Sequence, residues 1–354
     1  MLRTGLAAVI LLSACTAERP ARDTVPTDAP VVAARGAAAA FLDRYLDADG
    51  RIVRLDQGGD TVSEGQAYGL LLAQVAGDDD AFARLWTWTA DHLQRPDGLL
   101  AWRADAAQVL DESPASDADV LAAWALLRAG GEHRDPGLRL AAAVLAQEVV
   151  DVPGVGPVLA AGPWATGSPA TLNPSYWSPA VFDDLAQRTG DAEWSALADT
   201  AQGVTGTLTE GGRLLPPDWA RVDGSVVTAT QAPGGTPSEV AYGLDAQRLL
   251  VWLATGCEAA GRELAARARP LLSSPEAAKA IRLRPTGEVL DPDDGSLPLV
   301  ASAAVAAAAG DDRERDQLLD RADAVAAAYP GYYSSAWASL GRALLTTDLL
   351  RACP

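Results

Sequence analysis

Ala- and Leu-rich stretches of helical length alternate regularly with short segments rich in Gly, Pro and Asp, and this alternation restricts the folds that the chain can adopt. From Val31 onward, apolar periodicity and helix stop signals predict about twelve helices. These helices are predicted to begin near Ala34, Ser63, Asp79, Ser116, Pro136, Pro174, Asp191, Thr236, Glu258, Pro298, Asp312 and Tyr333. Few segments alternate as strands do, and Arg282–Leu290 is the best candidate for a short hairpin.

The pattern predicts a single all-α domain over residues 31–354, because no shift in composition divides the chain. About twelve helices in roughly paired lengths fit either a six-hairpin toroid or a helical solenoid. Periodicity alone does not choose between them. The lack of a strict internal sequence repeat counts against a solenoid, which would suit a protein-interaction scaffold.

The composition argues against several classes of function. The formal net charge is −19, and so acidic a surface repels phosphate backbones, so nucleic acid is a poor candidate partner. The two histidines, His92 and His133, lie far apart in sequence, which argues against a His-rich metal site and a Ser-His-Asp triad. No phosphate-binding loop, nucleophile elbow or paired-cysteine motif occurs. We therefore expect no metal or organic cofactor, and a monomer as the default.

The first fourteen residues read as an export signal. Arg3 supplies a positive charge, and Leu6–Leu12 forms an apolar stretch too short to span a membrane. The segment ends in Leu12-Ser13-Ala14-Cys15, which resembles the bacterial lipobox. In such proteins the cysteine becomes the new N-terminus and is acylated, so Cys15 is the expected lipidation site and the protein is expected to be exported and held at a membrane surface. An ordinary signal peptide that happens to contain a cysteine is the alternative.

Residues 15–30 lack apolar periodicity and are rich in Thr, Pro, Asp and Arg, which indicates a flexible tether. Once Cys15 carries lipid, Cys257 and Cys353 remain. A disulfide between them is compatible with an exported protein, but the sequence does not show whether they pair.

The first candidate site motif is Thr61–Gly69. Ser63 followed by Gln66 is a capping-box pattern, which places Glu64 in the first turn of a helix. Glu64 then either complements the helix dipole or serves chemistry. Gly65 and Gly69 are poor helix formers, so their presence favours a close approach by another group and hence a functional site. A helix N-terminus favours the carboxylate, so a Glu64 that must keep its proton needs burial or a neighbouring acid.

The second motif is Ala115–Asp119, where Ser116 is predicted to be an N-cap. Asp117 and Asp119 then either help to cap the helix or lie at a site, and on their own they favour capping. The helix that follows is apolar on nearly all sides and is predicted to be buried.

The third motif is Ala241–Trp252, in which Asp245 is predicted to lie mid-helix among apolar neighbours. Arg248 follows three residues later, so an intrahelical ion pair is the simplest explanation. A carboxylate held by an arginine is also what a general base requires.

An aromatic set forms the fourth group. The chain has ten tryptophans but only three phenylalanines. Aromatic residues at loop or helix-entry positions beside proline occur among Trp102, Trp164, Asn173–Trp177 and Pro216–Trp219. A platform for sugar rings and ordinary core packing are both open at this point.

The order and spacing of these motifs resemble glycoside hydrolase family 8, a family of bacterial endoglucanases, chitosanases, licheninases and xylanases. Ser63–Gly69 is similar to the family motif Ser-Glu-Gly-Gln-x-Tyr-Gly, and Ala115–Asp119 to its Ala-Ser/Thr-Asp-Gly/Ala-Asp signature. Further stretches match in the same order: Pro174–Tyr176, Pro217–Trp219, Asp245–Arg248 and Tyr332–Ser335. The resemblance extends from Ala37 to Leu345.

This resemblance implies an (α/α)₆ barrel with a substrate cleft across one end, and hydrolysis with inversion. It implies that Glu64 is the general acid and Asp245 the general base, with carboxyl groups about 6.5–9.5 Å apart. Asp117 is implied to act at the central sugar. Further substrate contacts are implied for Asp119, Trp102, Tyr176, Arg248, Tyr68, Gln66 and Trp219.

The expected activity is endo-acting cleavage of a β-1,4-linked polysaccharide, most plainly a β-glucan such as cellulose. The resemblance is strongest in character to the endoglucanase that accompanies bacterial cellulose synthesis. Chitosanase and xylanase are the alternatives within the family, and a non-catalytic polysaccharide-binding lipoprotein is the alternative of another class. Leu244, Ala122 and His133 depart from the family pattern, which puts the preferred substrate in doubt more than the mechanism.

Overall fold

The computed structural model describes residues 1–2, 28–234 and 239–353. The lipidation site Cys15, nearly all of the expected signal and tether, and the predicted helix start at Thr236 lie outside these residues. Within them the chain forms twelve α-helices, which confirms the predicted number. The helices are α1 Ala29–Tyr45, α2 Ser63–Ala76, α3 Asp79–His92, α4 Ser116–Ala129, α5 Arg134–Glu148, α6 Pro179–Thr189, α7 Glu193–Leu208, α8 Leu244–Ala254, α9 Ala259–Arg267, α10 Ser296–Ala308, α11 Asp312–Ala328 and α12 Tyr332–Thr346. No helix in this part of the chain combines the length and apolarity needed to cross a bilayer.

Even- and odd-numbered helices differ in burial. Eleven of the fourteen residues of α2 are buried, whereas only three of the seventeen residues of α11 are. The even-numbered helices contact one another in the order α2, α4, α6, α8, α10, α12 and back to α2. Because this inner ring closes, and the odd-numbered helices pack outside it, the fold is the expected (α/α)₆ barrel rather than an open solenoid.

The two ends of the barrel are distinguished by where the inner helices begin. Tyr45, the last residue of α1, hydrogen-bonds through its hydroxyl to Ser335 in the first turn of α12, at 3.2 Å. At the other end, Arg35 near the start of α1 lies against Gly77, which follows the last residue of α2. The inner helices therefore begin at one end of the barrel, and α1 begins at the opposite end, about 25 Å away along its own axis.

Helix α1 begins earlier than predicted. It starts at Ala29 instead of near Ala34, so residues 29 and 30 of the expected tether are helical. Pro30 lies in the first turn, where proline is tolerated because its missing N–H would have had no partner within the helix. Pro30 therefore belongs to the first turn of α1 and does not mark the end of the tether.

In the part of the chain that the structure describes, ten short strands form four antiparallel sheets in the connections between helices. The strands are β1 Thr61–Val62, β2 Arg103–Ala104, β3 Val109–Asp111, β4 Val149–Val152, β5 Gly156–Leu159, β6 Ala170–Leu172, β7 Trp219–Asp223, β8 Val226–Thr230, β9 Ala280–Leu283 and β10 Val289–Asp294. The predicted hairpin is confirmed as β9 and β10, which pair Leu283 with Val289. The other sheets were not predicted, because strands of two to five residues carry little periodicity.

A disulfide joins Cys257 to Cys353, whose Cα atoms lie 5.3 Å apart. Cys257 follows the last turn of α8, at the end of the barrel where the inner helices finish. The segment after α12 is also held there by Arg128, which donates to the backbone oxygens of Leu349 and Arg351 at 2.8 and 3.0 Å. The pairing left open by the sequence is therefore present, and it fixes the chain after α12 to the end opposite the starts of the inner helices.

Candidate active site

The candidate acids meet where the inner helices begin. Glu64, Asp117 and Asp245 lie in the first turns of α2, α4 and α8. Tyr332 opens α12 at the same end. Three segments far apart in sequence thus bring their carboxylates to one end of the barrel.

Arg248 joins the three carboxylates. Its Nη1 donates to Glu64 Oε2 at 2.8 Å and to Asp117 Oδ2 at 2.9 Å, and its Nη2 donates to Asp245 Oδ1 at 3.0 Å. The same guanidinium donates to Tyr68 Oη at 3.1 Å and to Ser175 Oγ at 2.8 Å. The predicted ion pair with Asp245 is confirmed. However, the Arg248 side chain is only 3% exposed, so the structure shows it holding the acids and not facing a substrate.

One positive charge facing three carboxylates leaves an excess of negative charge, which protons can remove. Burial raises the pKa of Glu64 against the opposing effect of Arg248, and the charge of Asp245 adds to the rise. Burial likewise raises the pKa of Asp117 to about 7, with a further contribution from Glu64. The helix dipole at Glu64 is therefore outweighed by burial, as a proton donor requires.

Asp245 differs from Glu64 in its surroundings. It lies in the first turn of α8, so the prediction of a mid-helix position is wrong. Its side chain is 35% exposed, compared with 19% for that of Glu64. Within the described residues its only hydrogen-bond partner is Arg248. Water can therefore reach Asp245, while Glu64 is more enclosed.

The two glycines of the first motif make room for close neighbours, as predicted. A Cβ on Gly65 would lie 3.1 Å from the hydroxyl of Tyr332, which donates to Glu64 Oε1 at 3.1 Å. A Cβ on Gly69 would lie 2.8 Å from Cγ1 of Ile52. The first glycine thus admits a partner of Glu64, and the second admits core packing.

Gln66 is not where a substrate can reach it, contrary to the expected sugar contact. Its side chain is fully buried, accepts from Ile52 N at 2.6 Å and donates to Gly50 O at 3.0 Å and Thr89 Oγ1 at 2.9 Å. The capping-box prediction is also wrong, because Val62 is the N-cap of α2 and none of the described side chains caps this helix. Gln66 instead fixes the turn that precedes β1.

Asp119 and Tyr68 are buried as well, so their expected sugar contacts are not supported. Asp119 accepts from Leu100 N at 2.8 Å, and burial raises its pKa well above the ordinary value. Tyr68 is fully buried beneath Arg248. Ser116 is not an N-cap, because α4 is preceded by Ala115 and the Ser116 hydroxyl donates to Ala160 O at 2.7 Å.

Two acids near the site were not predicted to have a role. Glu148, at the end of α5, is fully buried, and neither of its carboxyl oxygens has a partner in the described part of the chain. Asp218 precedes β7 and accepts from two backbone N–H groups at the start of α8. Neither residue has a local sequence signal beyond its own type, although Asp218 belongs to the matched stretch Pro217–Trp219.

Aromatic rings extend outward from the acids. The Arg248 guanidinium lies 5.3 Å from the ring centre of Tyr176, which lies 6.4 Å from that of Trp219, and Trp164 follows at 6.5 Å. Trp164 is 50% exposed and Trp219 half-buried. Trp102 is 36% exposed, and its backbone oxygen accepts from Ser63 N beside the start of α2. These rings offer flat surfaces to a ligand.

The other seven tryptophans are buried, so core packing explains most of the skewed aromatic composition. They are Trp86, Trp88, Trp124, Trp177, Trp194, Trp252 and Trp337. Trp177 therefore belongs to the core and not to a platform, and a platform for sugar rings stays a prediction for Trp102, Trp164 and Trp219.

Known proteins resemble this chain in both sequence and fold. The family described as glycosyl hydrolases family 8 matches residues 27–267. An endoglucanase from Xanthomonas axonopodis pv. citri is 33% identical over 286 residues, which cover 75% of this chain and 72% of that protein. The solved structure of endo-β-1,4-glucanase CMCax from Acetobacter xylinum is 26% identical with a TM-score of 0.73, over 90% of this chain and all of that one. A β-1,3-1,4-glucanase from Paenibacillus sp. X4 shares the fold, with a TM-score of 0.77 at 18% identity, over 89% of this chain and 92% of that one. The chain therefore belongs to glycoside hydrolase family 8.

Proposed function

We propose that this protein is an inverting, endo-acting β-1,4-glucanase in which Glu64 is the general acid and Asp245 the general base. The observation that carries the proposal is the contrast between two carboxylates held by one guanidinium. Glu64 is enclosed and its pKa is raised by burial, whereas Asp245 is open to water. Such a pair of unequal carboxyl groups is what acid–base cleavage of a glycosidic bond needs.

In this mechanism Glu64 donates its proton to the glycosidic oxygen as the bond to the anomeric carbon breaks. Asp245 removes a proton from a water molecule that attacks the anomeric carbon from the opposite face. Because both carboxylates bond to nitrogens of the same guanidinium, their bonded oxygens lie no more than about 8 Å apart. That bound is compatible with the separation of about 6.5–9.5 Å typical of inverting enzymes. Asp117, beside Arg248, would orient the sugar between them.

The substrate is proposed from the relatives and from the exposed rings. The relative from Xanthomonas is an endoglucanase and the structure from Acetobacter is an endo-β-1,4-glucanase. Trp164, Trp219 and Trp102 offer surfaces on which glucose rings can stack, since indole faces pack well against flat sugar faces. A chitosanase is the second candidate, because a net charge of −19 suits a cationic polymer.

The test is reducing-sugar release by the purified protein from carboxymethylcellulose, mixed-linkage β-glucan, chitosan and xylan, measured side by side. We expect the glucans to be cut, Glu64→Gln and Asp245→Asn to lose most activity, and the first product formed to have the α-configuration by proton NMR. Cutting of chitosan alone would favour the second candidate. Binding without cleavage of any polymer would favour a non-catalytic binding protein, and a β-configured first product would rule out inversion.

We also propose that the protein is exported and anchored by lipid on Cys15. The likeness of residues 12–15 to a lipobox supports this, and so does the disulfide between Cys257 and Cys353, since disulfides persist in oxidising compartments. Metabolic labelling with an alkyne fatty acid, followed by membrane fractionation, provides the test. Wild type should be labelled and sediment with membranes, whereas Cys15→Ala should be neither; a wild type without label would contradict the anchor.

A further inference from the structure

Helix α8, which carries Asp245 and Arg248, has no cap from its own sequence. Its N-cap is Gly243, which has no side chain to accept the free N–H groups of the first turn. The acceptor comes instead from Asp218, twenty-five residues earlier. Asp218 Oδ1 accepts from Gly243 N and from Ala246 N, both at 2.9 Å.

The carboxylate is pressed closely against the start of the helix. A Cβ built on Gly243 would lie 2.6 Å from Asp218 Oδ2, closer than two such atoms can approach. The φ of Gly243 is −122°, which any residue can adopt, so its backbone does not require glycine. The absence of a side chain at Gly243 is therefore explained by the presence of the Asp218 carboxylate.

The segment that leads into α8 is fixed from both sides. Asp218 N donates to Ala241 O at 2.8 Å, and Tyr242 exchanges two backbone hydrogen bonds with Leu283 of β9, at 2.8 and 2.9 Å. Residues 241–243 are thus paired with the hairpin on one side and with the Asp218 segment on the other. Asp218 makes the last of these contacts, at the point where the helix begins.

The placement of Asp245 depends on this first turn. Its side chain is 35% exposed, and Arg248, on the same helix, is its one hydrogen-bond partner among the described residues. Nothing outside α8 in the described chain bonds to the Asp245 side chain directly. Any shift of the first turn would therefore move Asp245 relative to Glu64, which lies on α2.

We infer that Asp218 is a positioning residue for the reaction proposed above, and that it acts by holding the first turn of α8 so that Asp245 faces the anomeric carbon through one water molecule. This inference rests on the proposed role of Asp245 as the base. Asp218 does not itself contact the reacting atoms. Burial raises the pKa of Asp218 to about 7, and the charge of Asp245 adds to the rise while the two backbone N–H groups oppose it.

The test uses three variants on the polymer that wild type cuts. Asp218→Ala removes the acceptor, and Gly243→Ala displaces the same carboxylate from a different residue. Both should lower kcat by about 10²-fold with KM changed by less than about threefold, since a displacement of about 1 Å can cost that much. Asp218→Asn keeps an oxygen acceptor and should recover most of the loss. The matched control is Asp78→Ala, which removes an aspartate that caps α3 through Ala81 N, at 2.8 Å, and should leave kcat unchanged.

A second readout separates a lost base from general loosening of the site. Fluoride leaves a glycosyl fluoride without needing an enzymatic acid, so the β-fluoride of the disaccharide that wild type releases tests the base alone. Glu64→Gln should recover activity on this fluoride, whereas Asp218→Ala and Gly243→Ala should stay as impaired as they are on the polymer.

Four results would overturn the inference while the proposed function stands. The first two are a kcat of Asp218→Ala within about threefold of wild type, and a rise in the KM of Asp218→Ala with kcat unchanged. The third is recovery of activity by Asp218→Ala on the fluoride. The fourth is an Asp218→Asn variant as inactive as Asp218→Ala, which would mean that the charge itself is needed. If Asp218→Ala does not fold, Gly243→Ala and Asp218→Asn decide by the same criteria. An inactive wild type would instead sink the proposed function.

Discussion

Replacing Arg248 by methionine should destabilise the protein more at high pH than at low pH. Arg248 is the shared partner of Glu64, Asp117 and Asp245, and its side chain is almost fully buried. Removing one partner of a buried ion pair costs about 3–5 kcal/mol, because the remaining charge has no compensation. We expect a loss of that size in the free energy of unfolding at pH 8.

The pH dependence follows from the direction of the pKa shifts. The pKa of Asp117 in the folded protein, about 7, is raised above its ordinary value, and that of Glu64 is raised too. A carboxyl group with a raised folded pKa stabilises at low pH and loses that contribution as pH rises through the folded pKa. Arg248 lowers both values, so without it the loss extends to higher pH. At pH 5 Asp117 is protonated, so removal of Arg248 leaves fewer buried charges without a partner, and the expected cost falls to about 1.5–3 kcal/mol, typical of a hydrogen bond with one charged partner.

Urea denaturation at pH 5 and pH 8, followed by tryptophan fluorescence, measures both values. The matched control is Arg315→Met, which removes an arginine paired with Asp312 and Asp316 on the outer helix α11. Because those partners are exposed, the control should change stability by less than about 1 kcal/mol at either pH. An equal loss for Arg248→Met at both pH values, or a loss no greater than that of the control, would refute the electrostatic argument.

Three further predictions concern stability, each measured by urea or thermal unfolding. Glu148→Gln should leave the free energy of unfolding unchanged near pH 4.5 and raise it by about 1–3 kcal/mol at pH 7, because burial raises the pKa of Glu148 well above its ordinary value and the folded protein must keep that proton. A stability difference that does not grow with rising pH would contradict a buried acid without a partner. Cys257→Ser with Cys353→Ser should cost about 2–5 kcal/mol, since the bond closes a loop with a sequence separation of 96, and reduction should leave the double variant unaffected. Gly69→Ala should cost about 1–3 kcal/mol despite alanine's better helix propensity, because its Cβ would meet Ile52; a stabilised variant would show that this packing is loose.

The sequence predicted the start of a helix well where the residues that fix that start are neighbours in the chain. The predicted starts at Ser63, Asp79, Ser116 and Asp312 coincide with the observed ones. The start of α8 was misplaced, because its cap, Asp218, comes from a distant segment that no local pattern connects to Leu244. A predicted capping motif can also mislead when a distant partner competes for the same side chain, as Gln66 shows.

The candidate site was predicted in its composition but not in its connections. Glu64, Asp117 and Asp245 were identified by resemblance, and the structure brings them together on Arg248. The sequence did not show that Arg248 binds all three acids, because an ion pair with Asp245 three residues earlier already explained the presence of this arginine. Glu148 was missed for a related reason: a glutamate at a helix end carries no sign of being buried.

The direction of α1 has a practical consequence for how the protein can be held. The chain enters the barrel at Ala29 and leaves it near Cys353, and both points lie at the end opposite Glu64 and Asp245. A lipid, a solid support or a fused domain that is joined to the chain before Ala29 or after Cys353 therefore attaches at this end of the barrel. The end with Glu64 and Asp245 then faces outward, where a polymer many times longer than the protein can lie across it without meeting the surface to which the protein is attached.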